Sequence, residues 1–201
     1  MKRGTLILAV LVLAASVLLL LIASILHNGV SARATPTALE RIMAREARHL
    51  AIPANAQALK NPVPASAVNL RDARLHFADH CATCHGNDGS GDTIIGRGLY
   101  PKPPDLRLAE TQKLSDGELF WIIENGVRFT GMPAFFSPGT QNDSWKLVDF
   151  IRHLPQLTEE ERMEMEKYNP KGPDDGLEEQ QEDDFLNGAT PAPKPESHHP
   201  H

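Results

Sequence analysis

Apart from isolated hydroxyls, the chain is apolar and wholly uncharged from Thr5 to Leu26, directly behind Lys2 and Arg3. As a helix this run spans about 33 Å at 1.5 Å per residue, enough to cross the hydrocarbon core of a bilayer. A cleaved signal peptide is the alternative, because Ala32-Arg33-Ala34 is similar to a processing site. Signal peptides usually carry an apolar region of about 7–15 residues, so the length favours a retained anchor. Either way Lys2 and Arg3 stay on the cytoplasmic side and everything after His27 lies outside the cytoplasm.

The pattern then changes to helical periodicity. Leu39, Ile42, Met43 and Leu50 recur near helical spacing between Pro36 and Leu50, with Arg41, Arg45 and Arg48 between them. This is a short basic helix, lying on the membrane surface, lying against a domain, or serving as a solvated spacer. Pro53, Pro62 and Pro64 among small residues predict an extended linker from Ile52 to Val68. The folded unit starts near Leu70, with a helix from about Arg71 to Asp79 leading into Cys81. A long Gly- and Pro-rich stretch follows. Ser115-Asp116-Gly117-Glu118 is a capping-box pattern, opening a helix through Leu119, Phe120, Ile122 and Ile123 that stops at Asn125-Gly126. A further helix from about Asp143 to His153 carries Trp145, Leu147, Val148, Phe150, Ile151 and Leu154, and Pro155 ends it. Thr158 to Glu161 repeats the capping box before a charged helix ending near Asn169-Pro170. The acidic, Pro-containing remainder predicts disorder. The expected organisation is residues 1–30 as N-terminus and transmembrane anchor, 31–69 as basic helix and linker, 70–157 as the folded domain, and 158–201 as acidic helix and tail.

Charge supports one folded unit between two tails. Residues 1–69 hold 7 Lys and Arg against 2 Asp and Glu, residues 70–157 hold 9 against 11, and residues 158–201 hold 4 against 13. No basic patch interleaved with aromatics appears, which argues against a nucleic-acid partner. The 2 cysteines of the 201-residue chain are too few and too close to form a disulfide framework.

Those cysteines carry the chemistry. Cys81-Ala82-Thr83-Cys84-His85 is the Cys-x-x-Cys-His spacing of c-type haem attachment. Both thiols add to the haem vinyl groups, and the next histidine is held under the iron as an axial ligand. The competing readings are a redox dithiol, which wants a βαβ context, and half a zinc site, which needs a second pair of ligands. Met132, in Thr130-Gly131-Met132-Pro133, is the candidate for the second axial position, since a thioether favours reduced iron. Core filling is the alternative for any methionine, but here Met132 sits between turn formers. Met163 and Met165 in the charged helix carry no expected role. His76 and His80 share a helix face, His153 suits a helix C-terminus, and His198, His199 and His201 are too flexible to be a preorganised metal site.

From Leu70 to Pro155 these residues resemble the bacterial membrane-anchored monohaem class I cytochromes c. The motifs carrying the likeness are Cys81 to Gly86, Pro103-Pro104-Asp105-Leu106 and Gly131-Met132-Pro133. The resemblance implies an all-α fold of three to five helices around one covalent haem c, with His85 and Met132 as axial ligands. It implies that a carbonyl in Pro103-Pro104 accepts the His85 Nδ1 proton, and that Phe77 packs on Leu147 and Phe150. Trp121, Arg128 or Arg97 would contact the haem propionates. Cys81, Cys84, His85, Met132, Pro104, Arg128 and Trp121 are therefore the expected haem-binding set.

The expected function is one-electron transfer, by a mobile membrane-tethered cytochrome or by the cytochrome subunit of a respiratory complex. Its partners would be redox proteins in or at the membrane, with the haem domain on the periplasmic side of the bacterial inner membrane. A haem enzyme or gas sensor with a labile sixth ligand is the alternative, and a structural subunit with haem as its core is a third.

Overall fold

A computed structural model describes residues 3–28 and 31–171, and these form helices joined by turns and irregular loops, with no strand among the described residues. Lys2 and the acidic tail with His198, His199 and His201 lie outside the described residues.

Helix α1 (Arg3–Asn28) contains the whole apolar run. Its apolar window is long enough to cross a membrane, and none of it is buried inside the protein, unlike a core helix. After it come α2 (Ala38–Ala51) and the single turn α3 (Ala54–Gln57). Thr37 and Glu40 form a reciprocal capping box on α2, satisfying otherwise orphaned amides of its first turn. Helix α4 (Ala67–His80) starts ahead of the expected Arg71, because the Ser66 hydroxyl accepts from the Asn69 amide and caps it. Three short turns follow: α5 (Ala82–His85), α6 (Ile94–Arg97) and α7 (Ala109–Gln112). Then come α8 (Asp116–Asn125), opened by the Ser115–Glu118 capping box, and α9 (Gln141–His153). A 3-10 turn (Leu154–Gln156) leads to α10 (Glu159–Glu166) behind the Thr158–Glu161 box.

Short helices gain most of their stability from burying one face against a neighbour. Here α4 packs across α9, and the seam is Phe77 against Phe150, with ring centroids 5.1 Å apart and tilted at 58°. Leu147 and Val148 are buried beside this pair in the same core. Helix α8 lies on α9, and the Phe120 and Trp145 rings stack at 4.0 Å and 6°.

Two expectations are corrected. The stretch from Ile52 is not simply an extended linker. Ile52 is only 2% exposed, Gln57 Nε2 donates to the carbonyls of His49 and Ile52, and the Ser115 hydroxyl donates to the Gln57 carbonyl at 2.8 Å. The chain comes so close to α8 that a Cβ on Gly117 would lie 2.0 Å from the Ala56 carbonyl oxygen. Proline content signals an irregular backbone, not a detached one. Met165 is likewise not without a role: it is fully buried and belongs to the main core. Helix α10 is held on α4 by Arg74, which ion-pairs with both Glu161 and Glu164, and by Arg71–Glu164 at 2.7 Å. One inserted side chain plus an ion network leaves almost no apolar periodicity to read.

Candidate functional site

The site begins where α4 ends. The Cys81 amide donates to the Phe77 carbonyl at 2.8 Å, and the next turn continues with His85 N–H to the Cys81 carbonyl at 2.9 Å. Gly86, at φ 74°, lets the chain leave that turn at once in a conformation that a side chain would strain. Cys81, Cys84 and His85 therefore come from one rigid turn, anchored to a helix whose C-terminal half is buried against α9.

Met132 comes from the loop after α8. That loop is closed by its own backbone: Val127 N–H donates to the Met132 carbonyl at 3.2 Å, and the Met132 amide donates to the Thr130 hydroxyl at 3.1 Å. Gly131 lies so close to Leu99 that a Cβ there would meet the leucine methyls at 2.8 Å. The Gly-Met-Pro sequence is thus a fitted loop.

Cys81, Cys84, His85, Met132 and Pro104 all line one cavity of about 460 Å3. The remaining wall is mainly apolar, from Phe77, Leu119, Ile122 and Ile123 among others, a composition usual for cofactor pockets. Burial pushes the His85 imidazole down to about 4, so it is neutral and its nitrogen lone pair is free to ligate. Burial, with Cys84 beside it, pushes the Cys81 thiol up to about 12. His85 Nδ1 is buried without a hydrogen-bond partner, as suits a ring whose two nitrogens await a metal and an acceptor. The residues present fit a haem: an apolar slot with two thiols, one neutral imidazole and one thioether on its walls. Among the described residues no group of three or more His, Cys, Asp or Glu is placed to hold a metal ion. The redox-dithiol reading also lacks its βαβ context, since no strand occurs among the described residues.

Several of the expected residues stand outside the cavity wall. Trp121 and Arg128 do not line the cavity; Arg128 is exposed and sits over the Phe129 ring at 6.0 Å. Arg97 instead pairs with Asp92 at 2.7 Å. Helix phase explains Trp121: its neighbours Ile122 and Ile123 take the cavity-facing positions, and it turns away. The expected hydrogen bond from His85 Nδ1 to the Pro103-Pro104 segment is absent, and the Pro103 carbonyl oxygen is packed over Gly91. The cations in the wall are Arg48 and Lys102, neither of which sequence reasoning picked out. Nothing in the local sequence marks Arg48, because α2 reaches the cavity only through tertiary packing.

Residues 68–151 match the family model described as cytochrome C oxidase, cbb3-type, subunit III. No curated protein matches the chain. The match spans α4 to α9, the elements that build the cavity apart from Arg48, and leaves α1 to α3 and α10 outside. All-helical fold, Cys-x-x-Cys-His cavity and family match together identify residues 68–151 as a c-type cytochrome domain, carried behind one apolar N-terminal helix.

Proposed function

We propose that the protein is a one-electron carrier holding a single haem c through thioether bonds from Cys81 and Cys84, with His85 and Met132 as axial ligands. The observation that carries this reading is that all four side chains line the same apolar cavity from two separately built elements. Bound haem supplies reversible one-electron exchange at its iron. His85, neutral through burial, donates its ring nitrogen. Met132, on the wall of the same cavity, would hold the iron through a soft sulfur that favours the reduced state. The apolar wall excludes water, which keeps both positions with the protein and disfavours ligand exchange.

Helix α1 tethers the domain to the membrane, with Arg3 at its cytoplasmic end and the haem domain on the outer side. By analogy with the matched family's description, the partners are redox proteins of a membrane oxidase, and the chain serves as its tethered cytochrome subunit.

The test is to produce the full chain in membranes of cells competent for c-type haem maturation. Haem should stay with the polypeptide after denaturation, and the oxidised protein should show the far-red band of methionine-ligated low-spin iron. Met132→Ala should lose that band and gain carbon monoxide binding. Haem that washes out of the unfolded wild type, or wild-type protein that readily binds carbon monoxide, would overturn the proposal. The second outcome would point to a sensor or enzyme with an open iron site.

A further inference from the structure

Helix α2 carries its charges inward. Arg45 reaches Glu110 at 3.5 Å, His49 reaches Glu118 at 2.9 Å, and the Tyr100 hydroxyl donates to Glu40 at 3.3 Å, all across to the domain. Leu39, Met43 and Leu50 are exposed at 65%, 62% and 82% on the other side. The docked face brings Arg48 to the cavity wall.

Arg48 there is an odd residue. It is half-buried, and among the described residues its guanidinium has no hydrogen bond and no carboxylate within ion-pair distance; Glu118, already engaged by His49, attracts it only from farther off. The cavity lining contains no Asp or Glu at all, and its only other Lys or Arg, Lys102, is solvent-exposed. Desolvating a guanidinium without a partner is unfavourable, and Arg cannot escape by losing its proton. The cation is therefore matched to an anion of the cavity's occupant. A haem brings two carboxylates, its propionates, and a guanidinium fork suits a carboxylate better than any other side chain does.

We propose that Arg48 binds a haem propionate, so that the docked segment from α2 to α3, ahead of the family-matched span, completes the haem pocket and couples it to the membrane-proximal chain. The inference rests on the covalent-haem reading above. Arg48 acts as a positioning residue, and its fixed positive charge disfavours the ferric state and raises the midpoint potential.

The experiment is an optical redox titration of the full-length haem-loaded protein in detergent, with resonance Raman spectra of the propionate bending modes. Arg48→Gln should shift the ferrous-to-ferric ratio at fixed potential several-fold toward ferric and should move the propionate band. Arg41→Gln, which removes an exposed charge from the same helix away from the cavity, should do neither. If Arg48→Gln does not accumulate, Arg48→Lys keeps the charge without the fork. It should hold the potential near wild type while the propionate band moves. Equal effects from Arg41→Gln and Arg48→Gln, or an unmoved band in the Arg48 variants, would overturn the proposal. Covalent haem and the methionine band are scored in every variant, so loss of those in wild type would indict the haem reading itself.

Discussion

Met165→Ala tests whether α10 belongs to the folded unit. Met165 is fully buried, whereas Met163 on the same helix is 49% exposed. Truncation at 165 removes the γ-carbon, the sulfur and the terminal methyl, which at about 0.8 kcal/mol each amounts to about 2.4 kcal/mol of lost transfer energy. A residual cavity of about 40 Å3 would add about 1 kcal/mol at roughly 24 cal/mol per Å3. Met165 lies near the end of a surface helix, so part of that space collapses, and the expected loss is about 2–3 kcal/mol. Guanidinium unfolding of the full chain in detergent, followed by tryptophan fluorescence from buried Trp145, reads this directly. With a slope of about 3 kcal/mol per molar, the midpoint should fall by about 0.7–1 M with the slope unchanged. Met163→Ala should stay within about 0.5 kcal/mol of wild type. If both substitutions cost equally little, α10 is a solvated spacer and the packing described for Met165 is wrong.

The same helix should loosen in acid. Burial alone pushes Glu161 up, but hydrogen bonds from His153 and the Thr158 amide, with the charges of His153 and Arg74, outweigh it and hold the carboxyl below its ordinary 4.5. A depressed folded value means that the contribution is complete above about pH 4.5 and is lost as pH falls through the lower folded value. Glu161→Gln keeps the capping geometry. It should cost about 1–2 kcal/mol at neutral pH, discounted for the partial exposure of the pair, and should flatten the acid limb of a stability–pH profile. An unchanged acid limb would assign that limb to other carboxylates. Ile52→Ala should undock the segment between α2 and α4 at a local cost of about 2–4 kcal/mol, seen as faster tryptic cleavage at Lys60 with the haem still attached to the chain. Cleavage at the wild-type rate would mean that Ile52 does not hold that segment down.

The chemistry-bearing turn was legible in the chain because the proposed attachment demands contiguity: two thiols and an imidazole would have to come from one helical turn, and Cys81, Cys84 and His85 are adjacent in sequence as well as in space. The capping boxes at Ser115 and Thr158 were legible for the same reason, since each is a hydrogen-bond exchange between residues three apart. The membrane-length helix needed only a run of apolar side chains longer than a bilayer core.

Tertiary structure alone decided what depends on distant surfaces meeting. Arg48 rather than Arg128 faces the cavity because α2 docks by Arg45–Glu110 and His49–Glu118, pairs 65 and 69 residues apart. Met165 and Ile52 are core residues because single apolar side chains find holes in a surface built elsewhere, without any stripe of their own. Local pattern records the energetics of neighbours along the helix. Burial and charge pairing are settled by packing, where the free energy of a side chain belongs to the pocket that receives it.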